Sequence, residues 1–462
     1  MSNGQSGAAL GYIQEHRENF IQEIAEFVAI ASISTDPKAK PEILKAAEWL
    51  VDRMTQLGFS NVEIFPTAGA PIVMGELLEA GEGKPTALVY GHYDVQPVEP
   101  LELWESMPFQ PQVRGDNLYG RGSSDMKGQI VAVLSAIEAM KATGGMPVNL
   151  KFLIEGEEEI GSPNLEKFVI EKKNRLAADF ALNPDAGMIS EALPTITYGL
   201  RGLAYLEIRL TGPDHDLHSG LFGGTVQNPA QVLCELIARL HDDAGRITLP
   251  GFYDRVRDLD EDERLELARL PMNATFYLNQ TGCPDLFGEE GYTPVERVTA
   301  RPTLEVNGLL SGFTGEGSKT VLPSKAMAKI STRLVPDQDP YEVREQMSRY
   351  LEENVPATIR WELVMHSTGF PSITDRQHPA VVAMSKALEA TWGKRPLFKR
   401  EGGSIPVVAQ LQLHLGIESV LTGFSLPEDN LHAPNEKLHL PTFMRGVDAL
   451  VRFFNFMDQS PA

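Results

Sequence analysis

The chain has 462 residues, 42% of them hydrophobic and 23% charged, a globular composition too long for a single hydrophobic core, so two domains are expected. Its net charge of -22 argues against nucleic acid or an anionic membrane as partner, because phosphate binding draws on clustered Lys and Arg. Only Cys234 and Cys283 are present, in no C-x-x-C or similar spacing, and MSNGQSGAAL at the start has neither a basic stretch nor an apolar core, so a reducing cytoplasm and no membrane segment are expected.

Phe20, Ile21, Ile24, Phe27, Val28 and Ala31 recur at helical period, and a second helix is expected over about 41–57. Strands and helices then alternate. TALVY (86–90) leads into Gly91 and His92, VNLKFLI (148–154) into an acidic run, and DFAL (179–182) into Asn183, Pro184 and Asp185. A helix with Ile130, Val133, Leu134 and Ile137 on one face separates the first two strands. Strand, helix, strand implies a mainly parallel sheet covered by helices, in which ligands collect beyond the carboxyl ends of the strands. After Gly199 the pattern changes. AYLEIRL (204–210), KAMAKISTRLVP (325–336) and TIRWELVMH (358–366) alternate apolar and polar residues, as strands of an antiparallel sheet with one wet face do. Helices near 228–241 and 340–353 are expected to cover its apolar face. Helix and strand patterns then resume to the C-terminus, so one catalytic domain is split around an α+β insertion: 1–202, then 203–375 inserted, then 376–462.

His92, Asp125, Glu158, Glu159, Asp185 and His432 each sit at an expected strand end or a Gly-rich turn. Together they read as a metal site spread over the chain, since mixed imidazole and carboxylate shells suit divalent ions near zinc and manganese. Taken singly, each has a plainer explanation. His92 and Asp94 in GHYDVQP share a face of an extended segment, so the carboxylate can hold the far ring nitrogen, but a surface His beside an Asp looks the same. Asp125 in YGRGSSDMKGQ stands at the head of a helix, where Asp is most often a cap. EGEEEIGS is, alone, a solvated acidic turn, although adjacent residues leaving a strand point in different directions, so Glu159 can bind metal while Glu158 faces water as a base. Asp185 in LNPDAG reads as a turn residue after proline, and His432 in NLHAPNEK carries no local signal.

GHYDVQP, GRGSSDMKG, EEEIGS, DLHSG, KTVLP, TRLVP, REGGSIPV and LHAPNEK, in that order over residues 90–440, resemble the M20 metallopeptidases, and most of all the cytosolic nonspecific dipeptidase and carnosinase branch. The resemblance implies a zinc-peptidase α/β domain with a mixed sheet, interrupted by a smaller lid and dimerisation domain. It implies two divalent metal ions per subunit, zinc first and manganese second, bridged by Asp125, with His92 and Asp185 completing one shell and Glu159 and His432 the other. Asp94 is then the residue that orients His92, and Glu158 the general base. His218 of DLHSG is implied to reach a neighbouring subunit's active site in a homodimer. Thr320 of KTVLP and Arg333 of TRLVP are implied near the substrate carboxylate, with Gly403 and Ser404 lining the same pocket.

The surroundings of Asp185, LNPDAG, depart from that branch's pattern, and residues 243–302, charged and helical in character, match none of its motifs. His16, His215, His241, His366, His378, His414 and His439 fit no ligand slot. The expected activity is hydrolysis of dipeptides or short peptides. The alternatives are an N-acyl or N-carbamoyl amino acid amidohydrolase or a carboxypeptidase on the same centre, and a noncatalytic peptide-binding protein on the same scaffold.

Overall fold

The computed structural model of the chain describes residues 3–403 and 405–458. They form two compact units, one of residues up to Tyr198, Thr374–Lys399 and the chain from Pro406 on, the other of Gly199–Ile373 with Arg400–Ile405. The crossing lies inside the strand Thr195–Leu200. The hexapeptide Arg400–Ile405, which the sequence assigns to the catalytic stretch 376–462, clusters with the second unit.

The first unit is built on a mixed sheet whose strands run in the order Ser60–Phe65, Ile72–Leu77, Asn149–Glu155, Thr86–His92, Phe180–Asn183, Ser419–Leu421, Thr195–Leu200. Asn149–Glu155, Thr86–His92, Phe180–Asn183 and Ser419–Leu421 are parallel to one another, and the flanking strands are antiparallel. The parallel strands are nearly continuous apolar runs because helices cover both faces of such a sheet. The helix Lys127–Thr143 is buried on almost every side, packed against Asn3–Glu15, Arg17–Val28 and the long C-terminal helix Leu440–Asp458. The single apolar face expected from Ile130, Val133, Leu134 and Ile137 therefore understates it. Val131, Ala132, Ala136 and Ala139 are equally dry, and their small side chains allow neighbours close on each side. Phe453 of the C-terminal helix meets Phe180 edge-on at 5.9 Å, which anchors that helix to the sheet.

Parallel register brings the loops of interest to one end. His92 pairs with Glu155 across the ladder, and Val89 with Leu182. The residues just beyond Glu155 and Asn183 therefore emerge beside His92 at the carboxyl edge. A small three-stranded sheet of Gln112–Arg114, Asn117–Tyr119 and Lys437–His439 ties the segment before Asp125 to the segment after His432, although some three hundred residues separate them in the chain.

The second unit is a four-stranded antiparallel sheet in the order Thr303–Ser311, Lys325–Leu334, Gly202–Thr211, Arg360–Gly369. Ala204, Leu206, Ile208, Leu210, Ala328, Ile330 and Leu334 turn one face toward the helices Pro229–Ala238 and Pro340–Asn354, whose Val232, Leu233, Leu236, Met347 and Leu351 complete the core. Residues 243–302 contribute the short helices Glu261–Leu267, Ala274–Thr281 and Pro294–Thr299. Ile247, Leu249 and Phe252 of this stretch join the core, and ion pairs tie the rest: Arg301 forks onto Glu289 at 2.7 Å through Nε and Nη2, and Arg264 reaches Glu296 at 3.1 Å. Among the described residues no helix is long and apolar enough to cross a membrane.

Candidate metal centre and active site

Asp125 is the hinge of the site. The helix behind it starts at Lys127 with Met126 as its N-cap and no side-chain cap bond, so the Asp125 carboxylate is not spent on capping. Its two oxygens instead face two imidazoles: Oδ1 lies 3.2 Å from His92 Nε2, and Oδ2 lies 2.9 Å from His432 Nε2. Two donor groups result, His92 with Asp125 and Asp185, and Asp125 with Glu159 and His432, each with its donor atoms within 4.8 Å of one another. They share Asp125 alone.

Each remaining group is held by its neighbours. His92 ends its strand fully buried, and its Nδ1 bonds its neighbour's backbone carbonyl, Asp94 O, at 3.1 Å, with the Asp94 carboxylate slightly farther at 3.4 Å. An Nδ1–H committed to that carbonyl leaves the Nε2 lone pair directed at Asp125. The Asp94 carboxylate is mainly engaged elsewhere, accepting the backbone N–H groups of Glu158 (3.2 Å) and Glu159 (3.1 Å). One aspartate thus sets both the histidine and the acidic turn.

That turn sends its three glutamates three ways. Glu157 accepts from Ala70 N and Asn164 Nδ2. Glu159 accepts from Gln96 Nε2 at 2.8 Å and lies 3.3 Å from His432 Nε2. Among the described residues nothing hydrogen-bonds the Glu158 carboxylate. The turn packs closely, since a Cβ on Gly156 would sit 2.4 Å from the Tyr93 ring. Asp185 is oriented by its own turn, its N–H donating to Asn183 Oδ1 at 2.9 Å. His432 adopts φ +58, a left-handed conformation uncommon for residues other than glycine.

Motif residues given no role in the sequence reading prove to hold the site together. Glu436, in the same LHAPNEK stretch as His432, is buried and accepts from Arg121 Nη1 (2.8 Å), Gly122 N (2.9 Å), Ser124 N (3.0 Å) and Asp125 N (3.1 Å). It therefore cradles the whole GRGSSD loop. Buried Lys127 donates to Phe27 O and Ile30 O, pinning the same loop to an earlier helix. A charged residue inside a glycine-rich motif was the available sequence signal, but no local rule pairs it with a glutamate at the far end of the chain. Arg121→Met, which leaves Glu436 buried without its counter-ion, is expected to destabilise the protein by about 3 kcal/mol. Chemical denaturation of the variant measures that loss, and an unchanged midpoint contradicts it.

The charges ask for a cation. Among the described residues no Lys or Arg lies within ion-pair reach of Asp125, Glu158, Glu159 or Asp185. For the protein groups alone, burial, reinforced by the Asp125 charge, drives Glu159 up to about 7 and raises Glu158. Burial also raises Asp185 well above the carboxylate range, against the pull of His92. Burial opposes charge on His92 too, but bonds to Asp125 and Asp94 outweigh it and its pKa rises, while the bond to Asp125 lifts His432 to about 9. Imidazoles holding protons between carboxylates is what a negative cluster does when protons are its only counter-charge. Two imidazole nitrogens, His92 buried and His432 exposed, with several carboxylate oxygens fit divalent ions of the zinc and manganese type.

A pH dependence follows. Metal binding needs neutral imidazole, and His432 with a pKa near 9 carries a proton at pH 7. Loading at pH 7 is therefore expected to release at least one proton per chain, and affinity to climb with pH until about 9. Calorimetric titration in buffers of different ionisation heat measures the proton count; zero release contradicts the assignment of His432.

Of the residues implied for substrate contact, His218, Thr320, Arg333 and Gly403 lie in the second unit. His218 and Thr320 are neighbours on a two-stranded ribbon, Leu217–His218 pairing with Val321–Leu322, where Ser219 N donates to Thr320 O at 3.0 Å. His218 Nδ1 accepts from Gly220 N at 3.0 Å, which places the imidazole proton on Nε2. Arg333 is half-buried on the sheet face away from the core helices. Gly403 follows Gly402 in an exposed bend, and Ser404 lies outside the described residues.

The model of the family described as Peptidase family M20/M25/M40 matches residues 88–455. The Cys-Gly metallodipeptidase DUG1 of Candida albicans is 32% identical over 466 residues, covering 96% of each chain. The Beta-Ala-His dipeptidase of Homo sapiens is 31% identical over 469 residues, covering 97% of this chain and 92% of its own. Among solved structures, that of the M20 family metallo-carboxypeptidase Sso-CP2 from Sulfolobus solfataricus matches with a TM-score of 0.81 at 32% identity, covering 96% of this chain and 99% of that one.

Proposed function

Because the chain belongs to peptidase family M20/M25/M40 and is a metallopeptidase, we propose that it hydrolyses the peptide bond of dipeptides at a centre of two divalent ions, zinc or manganese, bridged by Asp125. The observation that carries this reading is the division of one carboxylate between two histidines, Asp125 Oδ1 toward His92 and Oδ2 toward His432. His92 and Asp185 would hold one ion, Glu159 and His432 the other. When bound, the ions supply Lewis acidity, polarising the scissile carbonyl and bringing the pKa of water at the site toward about 7.

Glu158 is the general base. Its carboxylate is free of protein hydrogen bonds among the described residues, and burial raises its pKa toward the working range of a base. It takes the proton of the attacking water and delivers it to the leaving amine. Negative charge develops on the carbonyl oxygen as the water adds and is lost when the protonated amine leaves, and the Nε2–H of His218, donated from the neighbouring subunit of a homodimer, is aimed at that charge. Arg333 forks onto the free carboxylate of the substrate, with Thr320, Gly403 and Ser404 beside it, and so fixes the scissile bond relative to the base.

The substrate class is tested by a panel of free dipeptides, the same dipeptides N-acetylated, and longer peptides with free C-termini. The proposal expects cleavage of the free dipeptides and none of the acetylated set. Preference for acylated substrates moves the protein to the N-acyl or N-carbamoyl amino acid hydrolases. Stepwise trimming of longer peptides makes it a carboxypeptidase, the second reading, which the similarity to Sso-CP2 favours.

A further inference from the structure

Arg333 does not stand alone on its face of the sheet. It lies directly opposite Thr303 on one neighbouring strand and Leu203 on the other, and residues paired across a ladder turn their side chains the same way. Among the described residues no carboxylate lies within ion-pair distance of its guanidinium. Arg201, immediately before the strand Gly202–Thr211, is only 9% exposed. Its Nε donates to Gly402 O at 3.3 Å, and its Nη1 lies 3.5 Å from the hydroxyl of that same Thr303. Thr303 therefore touches Arg201 and pairs with Arg333 on the ladder. Burial, together with the charge of Arg333, pulls the Arg201 pKa down to about 10. Exposed Glu305, two residues along from Thr303, is a carboxylate that opposes this fall.

Tyr277 adds a neutral donor. It comes from the helix Ala274–Thr281, inside the 243–302 stretch that the family motifs leave without a role. Its hydroxyl is shielded from solvent and has no hydrogen-bond partner among the described residues. Burial raises its pKa, and Arg201 is close enough to oppose that rise. Gly402 lets these groups meet, since a Cβ there would come within 2.9 Å of Arg201 Nη2 and 3.0 Å of Val298 O. A buried phenol without a partner and two crowded guanidinium groups are each unfavourable alone. A single carboxylate answers both, because its two oxygens can accept from several donors at once.

We propose that Arg201 and Tyr277 form, with Arg333, the receptor for the substrate's terminal carboxylate: the two guanidinium groups engage its oxygens and the phenol donates the remaining hydrogen bond. This rests on the reading of Arg333 as the carboxylate anchor, and it gives the 243–302 segment a part in substrate selection.

The test uses the metal-loaded protein titrated calorimetrically with N-acetylglycine, whose one charge is a carboxylate, and with N-acetylglycinamide as neutral control. Tyr277→Phe and Arg201→Lys are each expected to weaken binding of the acid by about tenfold and to leave the amide unchanged. In hydrolysis, both variants raise KM for free dipeptides with kcat little altered. Tyr277→Phe removes one oxygen and keeps the ring, which packs edge-on against Phe276 at 5.2 Å, so an unchanged melting temperature separates lost binding from lost folding. If both variants bind the acid as the unaltered protein does while Arg333→Met weakens it, Arg333 acts without them and the proposal is overturned. If none of the three substitutions changes binding of the acid, the proposal and the Arg333 reading fall together. Weakening by Arg201→Lys and Tyr277→Phe but not by Arg333→Met overturns the receptor as stated, because Arg333 is its anchor.

Discussion

Glu158→Gln is expected to lower kcat by about 10²- to 10⁴-fold, the usual worth of a positioned general base, with metal content and KM nearly unchanged. Glutamine keeps the size and the hydrogen-bonding reach of the side chain, and the backbone of residue 158 stays tied to Asp94 Oδ1 at 3.2 Å. Only the ability to take a proton is lost. The neighbouring Glu159→Gln should behave in the opposite sense. Glu159 Oε2 sits 3.3 Å from His432 Nε2 in one of the two donor groups, so its loss should first lower the metal content, with activity partly restored by excess metal. Metal analysis and kinetics on the pair of variants distinguish adjacent glutamates that composition alone cannot tell apart. Should Glu158→Gln shed metal while Glu159→Gln keeps it, the two roles are exchanged.

Asp125→Ala is expected to have the largest effect of any single substitution, because both donor groups include Asp125 and they have no other member in common. Each of the two proposed metal shells would lose a ligand, and both imidazoles lose the carboxylate that their Nε2 atoms face. Carbonyl polarisation supplies several kcal/mol of transition-state stabilisation, and about 1.4 kcal/mol corresponds to tenfold in rate. Forfeiting it together with the activated water should reduce turnover by at least ~10⁴-fold. Metal content should fall for both ions, not one, and the melting temperature should no longer respond to added zinc, since ligand-linked stabilisation disappears with the site. A variant that loses one ion and retains the other tightly would show that the two groups do not depend on a common bridge.

The parallel core was legible in the sequence because buried strands flanked by helices leave unbroken apolar runs. Thr86–His92, Asn149–Glu155 and Phe180–Asn183 lie within one or two residues of TALVY, VNLKFLI and DFAL. The strand Thr303–Ser311 was not legible. It is an edge strand with most positions exposed and its register shifted between Val306 and Gly308, so it shows neither alternation nor an apolar run. Chemistry followed the same divide. His92, Asp125, Glu158, Glu159 and Asp185 could be singled out because strand ends and glycine turns mark them locally. His432 is carried by a loop with no such mark, and its place beside Asp125 depends on the small sheet that joins Asn117–Tyr119 to Lys437–His439. Arg121 and Glu436, 315 residues apart, and Tyr277 near Arg201 are products of tertiary packing. No periodicity in a single sequence announces them.

The measurement that bears most directly on the two-ion dipeptidase centre is hydrolysis of a free dipeptide by metal-stripped protein, titrated back with zinc or manganese while bound metal is counted. Activity should be absent at the start and should rise to a plateau as two ions bind per chain. Full activity without metal, or a plateau reached at one ion per chain, contradicts the centre bridged by Asp125.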